Sequence, residues 1–94
     1  MVDFEWDPAK AEANLRKHGV PFLKAMEVFQ DAFRQDQLDI SNDYGEDRWI
    51  TLGRVEHTVL HVVSTQRGES IRLISARKAT RNEQRIYWNG YLPL

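Results

Sequence analysis

The feature that most constrains the fold is a change of hydrophobic period at Phe33. Before it, Phe22, Ala25, Met26, Phe29 and Phe33 recur at helical spacing and form one strong apolar stripe. After it come short runs bounded by turn residues. "FRQDQLDIS" alternates weakly, with Leu38 and Ile40 on one face, and "RWITLG", "HTVLHVVST" and "SIRLISAR" follow. The connections "NDYGED", "RVEH" and "QRGE" are all short. Four strands joined this way read as an antiparallel meander.

Helical signals flank the strands. Asp7 caps free N–H groups and Pro8 suits a first helical position, so a helix starts there and runs to about His18. Gly19 supplies its left-handed stop. This helix is rich in Ala and polar residues, so its buried face is thin. Pro21 opens a second helix, which ends at Asp31 or shortly after. Thr80-Arg81-Asn82-Glu83 is a capping box. A last helix therefore starts at 79–81 and reaches Trp88 or Asn89, with Gly90 as its stop and "YLPL" as a tail. Phe4-Glu5-Trp6 reads either as a short edge strand or as an anchoring aromatic segment. The expectation is one α+β domain over residues 1–94. Two N-terminal helices cover one face of a four-stranded antiparallel meander, and a C-terminal helix follows. The other sheet face is then open.

Composition excludes several classes. There is no cysteine, hence no disulfide framework and no thiolate metal site. No apolar run approaches the ~18 residues of a membrane span. "MVDFEWD" lacks the basic-then-apolar pattern of a secretory signal, so a cytoplasmic protein is expected. The formal charge of -1 hides a split. Residues 1–47 carry five basic and eleven acidic residues, and residues 48–94 carry eight basic and three acidic ones. Seven of those eight are arginine. The planar guanidinium fork suits polyanions, although chance clustering on a solvated face gives the same count.

The strand can be apolar on one side and bear a polyanion site on the other. A three-residue loop at Arg67-Gly68-Glu69, with Gly68 at positive φ, opposes Val62 with Ile74 and Leu60 with Ala76, and is preferred to a two-residue loop, which would flip one strand relative to the other and mix the faces. Those four form the apolar face. Val59, His61, Val63, Leu73, Ser75 and Arg77 occupy the opposite one, with His57 further along, while Arg72 lies on the covered side.

Several segments are similar to the BrnT toxin family. They are "FEWDPAKAEANLRKHGV", the F-x-x-A-x-x-VF-x-D pattern at 22–31, "GEDRW" at 45–49 and "RLISARKATRNEQRIY" at 72–87. The likeness spans Phe4 to Tyr87. Family members typically have Ser or Thr where this chain has Pro21, which alters a helix cap and no chemistry. The resemblance implies a RelE-like fold and a ribonuclease toxin of a type II toxin–antitoxin pair that blocks translation. It also implies a BrnA-like ribbon-helix-helix antitoxin, with operator DNA contacted only through that partner, and it allows a hetero-tetramer of the two.

Metal-free RNA cleavage needs a base for the 2′-hydroxyl, a cation for the phosphate and an acid for the leaving oxygen. Arg77 is the first candidate, as a phosphate clamp on the sheet face; its competing reading is a salt bridge to Glu83. His61 is the candidate base, against a half-buried sheet histidine. Glu83 is either an acid–base group or simply the capping-box partner. Lys78, Arg81, Arg48 and Arg67 are candidate RNA-backbone contacts, and Tyr87 stacks on a base, donates a proton or packs at the core edge. His18 and His57 are weaker candidates. No cofactor is expected, and the histidines lack zinc-ligand spacing: His57 and His61 are about 13 Å apart along a strand. A non-catalytic module or corepressor acting with a DNA-binding partner is the rival reading.

Overall fold

The computed structural model describes residues 2–41 and 45–91. Part of the turn read at 42–47, namely 42–44, and the tail at 92–94 lie outside the described residues. The first helix begins where its signals place it. The Ala9 N–H donates to Asp7 Oδ1 at 2.9 Å, Pro8 opens α1 (Pro8–His18), and Gly19 closes it at φ 72°. The second helix is shorter than its apolar stripe suggests. It is one α turn, α2 (Phe22–Ala25), that tightens into a 3₁₀ segment, Met26–Gln30.

The expected meander is present as β2 (Gln35–Leu38), β3 (Trp49–Val55), β4 (Thr58–Arg67) and β5 (Ser70–Lys78). Each is antiparallel to its neighbour. The expectation of four antiparallel strands needs one correction. Asp3–Glu5 forms β1, which pairs parallel with β5, so the sheet is mixed and five-stranded in the order β1-β5-β4-β3-β2. A three-residue strand carries too little periodicity to announce its partner. Of the two readings of the aromatic start, the edge strand holds, and Phe4 and Trp6 also anchor. Phe4 packs on Phe29 (centroids 5.4 Å apart) and Trp6 on Phe22 (5.8 Å).

The β4–β5 register also differs from the expected one. Arg67 pairs with Ser70 across a two-residue turn, Gly68-Glu69, with Gly68 at φ 60°. That turn alone would put Arg77 into the apolar core. A bulge intervenes: Ser64 pairs with Leu73 and Val63 with Ser75, leaving Ile74 as the extra residue. Beyond the bulge, Val62 faces Ala76 and His61 faces Arg77. Ile71, Leu73 and Ala76 therefore share the core face, and Arg72, Ser75 and Arg77 share the other. Leu73 and Arg72 thus exchange the sides expected of them; Leu73 is 1 % exposed in the core, and Arg72 pairs with Glu5 at 3.1 Å.

The main core lies between the sheet and α1 and α2, built on Phe22, Ala25, Val28, Leu60, Val62 and Leu73. The opposite face is only partly open. The last helix, α3 (Arg81–Tyr91), covers one end of it over Leu52, Val59, Ala79 and Tyr87. α3 continues through Gly90 instead of stopping there. A Cβ at that position would overlap the Gln35 amide, so the glycine makes room for a strand side chain and caps nothing. Among the described residues no helix is long and apolar enough to cross a membrane.

Candidate functional site

The site is assembled at the junction where β5 ends and α3 begins. The capping box forms as read. The Glu83 N–H donates to Thr80 Oγ1 at 3.2 Å, and the Thr80 N–H donates to Glu83 Oε1 at 2.8 Å. This turns the Glu83 carboxylate back over the sheet, beneath which lie the cross-strand neighbours His61 and Arg77. Arg77 donates through Nη1 to Glu83 Oε1 at 2.7 Å and through Nη2 to Glu83 Oε2 at 2.9 Å. His61 Nε2 lies 3.7 Å from the same Oε2. The three residues named as catalytic candidates are thus in one cluster, with side chains 14 % (His61), 21 % (Glu83) and 33 % (Arg77) exposed.

The salt bridge that competed with the clamp reading is present, and it does not exhaust Arg77. A guanidinium has five N–H donors. Glu83 takes one from each terminal nitrogen, and the Lys78 carbonyl takes the second from Nη1 at 3.2 Å. The Nε–H and the remaining Nη2–H lie along one side of the fork, and no described residue accepts from either. A phosphate can dock bidentately on that edge while the carboxylate holds the end.

Electrostatics sets the three groups apart. The Arg77 fork, helped by the Thr80 N–H and opposed by burial, holds the Glu83 carboxyl down at about 2. It is fully ionised at neutral pH and has no proton to give. Burial, then the Arg77 charge, push His61 below its usual value, with Glu83 and Asp39 pulling the other way. The imidazole is neutral at pH 7. Its Nδ1 is buried without a hydrogen-bond partner, so Nε2 is the nitrogen through which it can exchange a proton.

The remaining candidates divide. Arg81 opens α3 and is exposed beside the cluster, and Arg85 stands one helical turn on, a basic residue absent from the sequence-based candidates. Lys78 pairs with Leu60 on the opposite face and lines a hollow with Lys24 and Pro21. Arg48 and Arg67 gather around Glu46, at 3.5 and 3.8 Å. Arg67 is six strand residues from His61, roughly 20 Å away. Tyr87 is 1 % exposed and donates its hydroxyl to Asp31 at 2.5 Å, so it is a core residue and not a stacking platform. His57 sits in the exposed β3–β4 turn, and His18 closes α1.

Beside the cluster, a cleft of 170 Å³ opens toward β2, walled by Ile50, Leu52 and Ile86 and edged by Gln35 and Gln37. Its polar edge lies in the weakly alternating segment after Phe33, where isolated glutamines carry no motif.

No match is found among curated proteins. A family model described as "Ribonuclease toxin, BrnT, of type II toxin-antitoxin system" matches residues 6–83, which takes in β1's last aromatic neighbour, the whole meander and all three clustered side chains. The chain belongs to the BrnT family of ribonuclease toxins of type II toxin–antitoxin systems.

Proposed function

We propose that this chain cleaves RNA without a metal at the His61–Arg77–Glu83 cluster. In this reading it blocks translation in the cytoplasm, and a BrnA-like ribbon-helix-helix antitoxin neutralises it, joins it in a hetero-tetramer and represses the operon with it. The supporting observation is the free side edge of Arg77 directly across the strand pair from a neutral histidine. The phosphate sits on the Nε/Nη2 edge of Arg77, which stabilises the charge that builds in the transition state. His61 takes the 2′-hydroxyl proton at Nε2 as the 2′-oxygen bonds to phosphorus; the P–O5′ bond breaks, and the departing 5′-oxygen takes a proton from water. The imidazolium so formed is stabilised by Glu83 Oε2, 3.7 Å away. Glu83 is then a positioning residue: it orients Arg77 and steadies the charge on His61. Arg81 and Arg85 guide the RNA backbone.

The test is purified chain with RNA in EDTA. Wild type is expected to cleave, and folded Arg77→Ala to lose about 10²-fold or more, as when a transition-state donor is removed. Equal cleavage by the folded variant removes the site assignment. The second reading, a non-catalytic module, draws on the same Arg77–Glu83 fork, which can serve as a plain staple between strand and helix. RNA binding without cleavage in that assay favours it. Stable co-purification with the product of an adjacent reading frame tests the antitoxin pairing separately.

A further inference from the structure

We infer that the cleft between β2, β3 and α3 is a slot for one nucleobase, that of the nucleotide 5′ to the cleaved phosphate. This rests on the function proposed above. The cleft's 170 Å³ is well below the ~300 Å³ at which drug-sized pockets begin, so it suits a single ring system and not a whole nucleotide. Ile50 and Ile86 supply apolar walls, and Ile86 is 48 % exposed although it stands on the inner side of α3. His61 and Glu83 form the end of the same cleft. A base between the isoleucines carries its own ribose toward His61, and with it the 2′-hydroxyl that must lose a proton. The base lies on the 5′ side because that hydroxyl belongs to the nucleotide whose 3′ phosphate is attacked.

The cleft also has a polar edge of fixed sense. Gln35 Nε2 donates to the carbonyls of Ile86 (3.0 Å) and Tyr87 (2.9 Å). Both its protons are used, so the amide cannot turn over, and its Oε1 accepts from no described residue. Gln35 lines the slot, and that oxygen is the acceptor it has left to offer a base. Gln37 lies two residues on, on the same face of β2. It is exposed, and no described residue bonds its amide, so it can give or accept as the base requires. A held acceptor favours a base with an exocyclic amino group. Uracil alone among the RNA bases has none, and its carbonyl oxygens flank the one N–H it offers.

The experiment is to map cleavage positions on a mixed-sequence RNA in EDTA for wild type, Gln37→Ala and Ile86→Ala. Wild type is expected to cut after uracil about tenfold or more less often than after the amino-bearing bases. Gln37→Ala should raise KM several-fold and leave that ratio nearly unchanged, because its free amide serves donors and acceptors alike. Ile86→Ala should raise KM more than it lowers kcat, because it removes a wall and no reacting group. Both side chains are exposed, so both variants keep the fold, which circular dichroism checks. Indiscriminate cleavage by wild type, or an unchanged profile and KM in both variants, overturns the slot and leaves the proposed function standing. Failure of wild type to cleave RNA at all overturns the proposed function, and the slot with it.

Discussion

Glu83 carries more of the site than its motif announces. One carboxylate closes the capping box, holds the Arg77 fork and faces His61. Its folded pKa lies below the ordinary value, at about 2 against 4.5. Such a group contributes stability that is present above pH ~4.5 and lost as pH falls toward ~2, on the order of 3 kcal/mol. Urea denaturation of Glu83→Gln at pH 7 should show a loss of roughly that size and a flatter stability profile between pH 5 and 2. A loss under ~1 kcal/mol would mean the fork is loose in solution. Removing the carboxylate also withdraws support for imidazolium from His61, leaving burial and Arg77 against it, with its own backbone and Asp39 in favour. The acid limb of the cleavage pH profile should move to lower pH, a shift that a purely structural role would not produce. The residues of this cluster were legible one by one, since a strand ending in Ala-Arg-Lys ahead of a capping box is a local pattern. The proposed division of labour was not, because it depends on which acceptor each N–H finds.

At the level of elements, α1 shows how a thin apolar face is docked. Its buried anchor is Asn14, 7 % exposed. The Asn14 Nδ2 donates to the carbonyls of Ala76 (2.8 Å) and Val20 (3.2 Å), and Oδ1 accepts from the Ala76 N–H (3.1 Å). β1 pairs with β5 only as far as Arg72, so the outward backbone groups of Ala76 have no strand beside them. The amide stands in for the missing strand. Asn14→Ala orphans a buried N–H and two carbonyls, and about 3 kcal/mol of stability should be lost in urea titrations. A cost within ~0.5 kcal/mol would show that water replaces the amide freely. A lone Asn among alanines gives no hint of this in the sequence, because its partner is 62 residues away.

Across the whole molecule, two packed layers share one sheet, and their spacing depends on a small residue. Gly53 in β3 lies under the 3₁₀ segment, where an added Cβ would meet the Val28 Cβ at 2.7 Å and the Val28 carbonyl oxygen at 3.1 Å. The neighbour is partly backbone and cannot swing away. Gly53→Ala should therefore cost about 2 kcal/mol by overpacking, a fall in Tm on the order of 10 °C by calorimetry. An unchanged Tm would show that the layers separate easily. On the far side of the sheet, the Tyr87 hydroxyl and the Arg54 N–H both donate to Asp31, tying α3 and β3 to the end of the 3₁₀ segment.

By itself, the sequence determined the elements. Caps, left-handed glycines and the change of period at Phe33 act over a few residues, and the four meander strands, both long helices and the Arg77–Glu83 junction follow from them. The sequence also set His61 and Arg77 on the face opposite Leu60, Val62 and Ala76; tertiary structure alone decided the register, and with it the sides of Arg72 and Leu73. One extra residue at Ile74 reverses every side chain beyond it, and so turns Arg77 out of the core and sets it against His61. The spacing of Ile71, Leu73 and Ala76 is compatible with that bulge, but periodicity over one strand cannot say which register its partner will accept. The pairing of β1 and the cover given by α3 have the same origin: each is settled by which distant backbone groups and apolar surfaces still need a partner once the meander has formed.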